Sequence, residues 1–330
     1  MNHAQRRRFL LVTGALFVAP FAAAQGSKDK SMHIGILVGG GYAQRGHLEQ
    51  ALLDGLHEQG YVEGKNLVIE RRYADGRRER VGEFARELAA MKLDAVVTTC
   101  TPSTRAAKQA TASTPIVMAA VADPVGQRLI ASLARPGANI TGLSSQAEDV
   151  LPKMMELFSS VLPRAATIAV FVQGRSDVHP RMWQQLAPIA QALDLKLVKI
   201  DVATAADLPA VFDLALREKA DALFFLPDEP MFLTGRARIV ELATRHRLPS
   251  FYGAREFVDG GGLMSYGESL RAAYRNAASY IGNVSRGAKP ADLPVQQPTK
   301  FELVINLKTA KALGITMPQS VLARADEVIQ

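Results

Sequence analysis

The sequence predicts an α/β protein of two lobes, each a parallel sheet with helices on both faces. Three observations carry this. Short continuous apolar runs recur from residue 33 to residue 253 and alternate with segments of helical period, the pattern of parallel strands buried on both faces. The plan repeats in outline: "LDAVVTTCTPSTRAAKQATASTPIVMA" is echoed by "ADALFFLPDEPMFLTGRARIVELATRHRLPSFYG", each reading Asp-Ala, strand, Pro-containing turn, helix, Pro, strand. Two Gly-bearing segments, "GANITGLSSQ" (137–146) and "VDGGGLMSYG" (258–267), read as crossovers between the halves.

The chain of 330 residues opens with "MNHAQRRRFLLVTGALFVAPFAAAQG", a basic start, an apolar stretch from Phe9 to Phe21, and the small-residue site Ala22-Ala23-Ala24. This is the layout of an export signal, with cleavage expected after Ala24; the apolar stretch is too short to span a bilayer. Arg6-Arg7-Arg8-Phe9-Leu10 also resembles a twin-arginine signal, so Sec and Tat routes both stand. Removing the three basic residues of that segment leaves 36 bases against 32 acids, about +4, with no basic run to suggest a nucleic-acid groove. Cys100 is the sole cysteine, so no intramolecular disulfide can form, and it reads as a buried inert thiol. The six His are scattered without ligand spacing, and neither metal nor cofactor is indicated.

From residue 31 the strands read as 33–38, 66–73, 94–99, 115–121, 167–172, 196–202, 221–226 and 249–253. Leu48, Leu52 and Leu56 mark a first helix that Gly60 stops; Val81, Phe84, Leu88 and Met91 mark a second. Val125, Leu129 and Leu133 suggest another, closed by Pro136-Gly137, and a helical pattern covers about 269–286 before the Pro-rich "KPADLPVQQPTK". Trp183 packs within a helix alongside Leu186 and Leu193. The predicted division is lobe 1 over 31–143 plus 264–292 and lobe 2 over 144–263 plus 293–330. Both lobes aim the carboxyl ends of their strands at one cleft, where open α/β sheets bind ligands.

The candidate residues follow from those strand ends. Gly39-Gly40-Gly41 only half matches a dinucleotide fingerprint. The third position is Gln44, the helix is expected near Gly46 or His47, and Glu70 stands where a ribose-binding acid would end the second strand. The simpler reading makes Gly39, Gly40 and Gly41 a flexible turn that lets the backbone approach a ligand, as a cleft wall. Thr101 reads as an N-cap and Pro102 as first turn; Ser103 and Thr104 either belong to that cap or bind a carboxylate at the helix start. Asp123 either caps the helix expected near Val125 or faces the cleft. Asp228 and Glu229 either cap a helix from Met231 or hold a ligand's ammonium group. Tyr252, Arg255 and Glu256 are expected to line the cleft, with Arg255 equally readable as a surface charge. There is no G-x-S-x-G elbow, no P-loop and no His in a catalytic context, so nothing proposes an enzyme.

Four stretches, "GYVEGKNLVIERRYADG", "PIVMAAVADPVGQRLIASLARPGANITGLS", "RLPSFYGAREFVDGGGLMSYG" and "LPVQQPTKFELVINLKTAKALGITMPQSVLARADEVI", resemble the substrate-binding proteins of bacterial ABC transporters, in the group related to tryptophan/tyrosine-binding proteins. The resemblance runs over about 31–328. It implies a type I periplasmic-binding fold with three crossovers and ligand in the hinge cleft. It also implies a periplasmic location, ABC permease and ATPase partners, and a monomer in solution. It makes Gly40 to Tyr42, Thr101 to Thr104, Asp123 and Asp228 cleft residues, with Asp228 as the ammonium partner. Cys100 departs from the pattern, which expects a small residue there. The expected function is an extracytoplasmic receptor closing on a small polar or amino-acid-like ligand. The alternatives are an exported NAD(P)-dependent oxidoreductase and a binding protein that feeds a sensor.

Overall fold

The structure, a computed structural model, describes residues 31–330, without the side chains of 43–45. The expected signal segment and its cleavage site lie outside the described residues. A first sheet holds β1 (Met32–Val38), β2 (Leu67–Tyr73), β3 (Ala95–Thr98), β4 (Ile116–Ala122) and β5 (Ile140–Ser145), in the order β2-β1-β3-β4-β5 and parallel throughout. Between its strands run α1 (Tyr42–Glu58), α2 (Arg78–Ala89) and α3 (Thr101–Ala110). After β5 the chain enters the second half with α4 (Leu151–Val161), β6 (Thr167–Val172), α5 (His179–Ala192), β7 (Lys196–Asp201), α6 (Leu208–Arg217) and β8 (Ala222–Phe225). It continues through α7 (Pro230–Thr234), α8 (Arg236–Arg245), β9 (Ser250–Tyr252), α9 (Arg255–Asp259) and β10 (Met264–Glu268). α10 (Leu270–Ser285), β11 (Phe301–Asn306), α11 (Leu307–Leu313), α12 (Gln319–Leu322) and β12 (Glu327–Ile329) complete the order. The second sheet reads β12-β11-β10-β9-β8-β6-β7, parallel except for the antiparallel pair β10/β11.

Hydrophobicity on both faces of the strands explains the layering. All seven residues of β4 are buried, and two separate apolar clusters cover the two faces of the first sheet. In one, Leu48, Leu52 and Leu56 of α1 meet Ile34 and Ile36 of β1 and Ala277 and Ile281 of α10. In the other, Val81, Ala85 and Leu88 of α2 cover Leu37, Val96 and Met118. Each valine, leucine, isoleucine or methionine among them contributes about 1.5–3 kcal/mol on removal from water. The second sheet is likewise flanked by two clusters, one rich in Phe171, Phe212 and Phe225, the other holding Phe158, Phe224 and Phe251.

Three expectations need correcting. No helix forms at 125–133: Asp123 and Arg128 both take left-handed backbone (φ 42 and 54), and the amides of Leu129 and Ile130 both reach the Pro124 carbonyl. Of the three spaced positions only Leu129 is fully buried, Leu133 is partly buried and Val125 is exposed, so the spacing does not mark one buried helix face. The helix after the three glycines starts at Tyr42, not at Gly46 or His47. The lobe boundaries also shift. β5 belongs to the first sheet through Ser145, β10 belongs to the second through Glu268, and Val295 and Gln296 still bond to Leu133 and Gly142 of the first half. Strand hydrogen bonding carries each crossover a few residues beyond the apparent break in pattern.

Candidate ligand cleft between the two sheets

The carboxyl ends of β3, β5, β8, β9 and β10 converge on a cavity of about 800 Å³, its open mouth included. Its floor is made by very close backbone. A Cβ on Gly267 would lie 1.9 Å from the Gly253 carbonyl oxygen, and one on Gly253 would lie 2.4 Å from Cβ of Pro227. Only hydrogen fits at these two positions, so the strand ends come together as bare backbone.

On the first-lobe wall, Thr99 and Ser145 are 4% and 5% exposed, and their hydroxyl oxygens are buried without a hydrogen-bond partner among the described residues. Buried hydroxyls are rarely left so, because each forfeits the hydrogen bonds water would give it. On the opposite wall stand Asp228 and Glu229, in the turn between β8 and α7, and Glu268 at the end of β10. Glu229 caps α7, its Oε1 accepting from the Met231 amide at 3.1 Å, with Arg78 of the first lobe 3.9 Å from Oε2. Burial pushes the Glu268 carboxyl up to about 8. The rest is largely apolar. Phe225, Phe232 and Phe257 line the cavity, with Phe225 and Phe232 packed edge to face at 5.6 Å.

Of the residues the sequence singled out, Asp228 and Glu229 line this cavity, and the others take different places. Cys100, not Thr101, is the N-cap of α3; Thr101 and Pro102 begin the helix itself. Thr101 donates to the Ala122 carbonyl. The Ser103 hydroxyl accepts from the amides of Thr99 and Cys100, and Thr104 bonds the Thr98 hydroxyl at 2.7 Å. Both hydroxyls are thus engaged inside their own turn. Asp123 closes a turn on the Gly126 amide and pairs with Arg181 of the other lobe. Tyr252 is fully buried, stacked 4.4 Å from Phe257 and bonded to Ser250, and so belongs to the core. Arg255 lies along its own helix, pairing with Asp259 and Glu327. Gly40 and Gly41 do not line the cavity, and Tyr42 is 60% exposed with its ring against Tyr73. The glycine that close packing demands is Gly39, where a Cβ would sit 2.8 Å from the Cys100 sulfur. Glu70 does not end β2; it pairs with Gly35 in mid-strand, beside His33 and Arg72. That removes the acid from where a ribose would need it.

Sequence reasoning missed Thr99, Ser145, Glu268 and His179. The first three end strands that face the cleft, so the strand-end rule could have found them. His179 gives no sequence signal. It is wholly buried; its Nδ1 accepts from the Gln173 amide at 3.0 Å, so its Nε2 carries the proton and donates to the Pro227 carbonyl at 2.8 Å. Burial lowers its pKa to about 4, keeping it neutral beneath the cavity wall. Around the mouth, further contacts bridge the lobes. Arg105 lies 3.6 Å from Asp177, Gln127 donates to the Asp177 carbonyl at 2.9 Å, and His47 meets Glu256 at 3.3 Å.

The model of the family described as ABC transporter substrate binding protein matches residues 43–329. The chain belongs to this family. This substrate-binding protein is 26% identical over 268 residues to the tyrosine-binding protein of Clostridioides difficile, covering 81% of this chain and 76% of that one. Among solved structures it is similar to a conserved domain protein of Vibrio cholerae, at 31% identity and a TM-score of 0.83, covering 91% of this chain and 100% of that chain. A Streptococcus protein solved in complex with L-Trp, described as an ABC domain, matches at 28% identity and TM-score 0.83, with the same coverage. The substrate-binding protein therefore has the type I periplasmic-binding fold, and it is a solute-binding receptor. No helix among its described residues is long and apolar enough to cross a membrane.

Proposed function

We propose that this receptor works outside the cytoplasm and binds an amino acid with an apolar or aromatic side chain, delivering it to an ABC permease and its ATPase. It acts as a monomer and catalyses no reaction. One observation carries the ligand class: buried hydroxyls on Thr99 and Ser145, unpartnered among the described residues, share a phenylalanine-lined cavity with the carboxylates of Asp228, Glu229 and Glu268. A zwitterion satisfies both walls. Its carboxylate accepts from the two hydroxyls, its ammonium goes to the acidic side where Asp228 stands, and its side chain lies on the phenyl rings. The relatives whose descriptions name tyrosine and L-Trp support the same class.

A thermal-shift panel on residues 25–330 tests this, with the amino acids, aromatic acids, small dicarboxylates, purines and NAD(P)H. A ligand at a hundred times its Kd stabilises by about 2.7 kcal/mol. A shift with L-tryptophan or L-tyrosine that is lost in Thr99→Val supports the reading. A shift with NAD(P)H alone overturns it.

A further inference from the structure

We propose that Glu268 is the group that receives the ligand's ammonium ion, and that binding therefore expels a proton from the cleft. This rests on the amino-acid reading above and adds to it a residue and a charge balance.

Glu268 ends β10, the strand through which the chain leaves the second sheet for α10. It lines the ligand cavity and also a second, open cavity, lined by Ser144, Gln296 and Lys300 from the other crossover segments. It is thus the partition between ligand and hinge. Glu229 is committed to capping α7 and to Arg78, and Asp228 also has interactions of its own. Among the described residues Glu268 has no ion pair, and no lysine or arginine lines the ligand cavity. The titratable groups around it are Asp228, Glu229, Cys100 and Tyr274 in the cleft, with Lys300 and Glu302 behind; Lys300 is held by Asp326 at 2.8 Å. None of these supplies it with a positive partner.

A carboxyl so placed keeps its proton when the cleft is empty, because burial penalises the ion and nothing repays it. An arriving ammonium group supplies the missing charge. The carboxyl then ionises, its proton leaves to solvent, and an ammonium–carboxylate pair closes in the cleft. Because the carboxyl titrates near 8 in the empty cleft, affinity for an amine rises about tenfold per pH unit between pH 6 and 8 and levels above it.

Calorimetry with L-tryptophan, tryptamine and indole-3-propionate tests this, at pH 6, 7 and 8 and in buffers of different ionisation enthalpy. The two amines are expected to show the slope and to release about one proton at pH 7, and indole-3-propionate is not. Glu268→Gln is expected to abolish slope and release and to cost the amines about tenfold or more at pH 8. If tryptamine shows the slope and L-tryptophan does not bind, the amino-acid reading fails and Glu268 keeps its role. If L-tryptophan binds without a slope, or the slope survives Glu268→Gln, the proposal is overturned and the amino-acid reading stands. Binding by none of the three overturns both. Melting of the ligand-free proteins at pH 6.5 and 9 controls for folding. Wild type is expected to lose several degrees relative to Glu268→Gln as pH rises, and equal melting at both values also overturns the proposal.

Discussion

At the scale of single residues, the cleft is defined by groups held against their own interest. The Thr99 hydroxyl is buried beside the start of α3 without a partner among the described residues, although its backbone amide is satisfied by Ser103. Replacing it by valine removes an unsatisfied donor and keeps the shape. Thr99→Val is therefore expected to melt at or above the wild-type temperature while losing about tenfold in amino-acid affinity, which melting and calorimetry together check. His179 works in the opposite sense to Glu268. Its folded pKa of about 4 lies below its usual value of 6.5, so the unfolded chain binds more protons between those pH values. Stability from His179 is complete above about pH 6.5 and is lost as pH falls through about 4, a span of about 3 kcal/mol. Urea unfolding at pH 7 and pH 4 is expected to show that loss in wild type and a smaller one in His179→Gln.

At the scale of elements, the cleft depends on strand ends meeting without side chains. The Gly267 backbone passes the Gly253 carbonyl so closely that Gly267→Ala must push β9 and β10 apart. Overpacking of this kind costs about 1–3 kcal/mol, and the same movement opens the cavity floor. Gly267→Ala is expected to lower both the melting temperature and ligand affinity, whereas Thr99→Val lowers affinity alone. The start of α3 shows how far local signals reach. The Pro and hydroxyl residues announced a helix start correctly, and Pro102 lies in the first turn. Which hydroxyl lines the cavity was not legible there. Ser103 and Thr104 satisfy the local backbone, and Thr99, which lines the cavity, stands two residues before the cap that the spacing suggested.

At the scale of the whole molecule, the lobes are held together across the mouth by contacts that are mostly exposed. Arg181 is 62% exposed in its pair with Asp123, and Arg105 and Asp177 are also partly open to water. Exposed pairs are worth about 0–1 kcal/mol each, so they bias closure without locking it. Arg181→Ala is expected to leave the melting temperature of the ligand-free protein unchanged and to weaken ligand binding by about two- to fivefold. Small-angle scattering is expected to show a larger ligand-free radius of gyration for the variant than for wild type.

The sequence by itself determined the alternation of buried strands and helices, the doubled plan and the region of the cleft. These depend on periodicity and on turn residues, which are local. It also carried the resemblance that the family match upholds, because long contiguous motifs survive in the chain. Tertiary structure alone decided which side chains line the cavity. Tyr252 and Thr99 each lie at the end of a strand, yet one is stacked into an aromatic core and the other lines the cavity. That difference depends on which helix covers each strand end and on how two sheets meet. It is a long-range matter that no window of sequence contains.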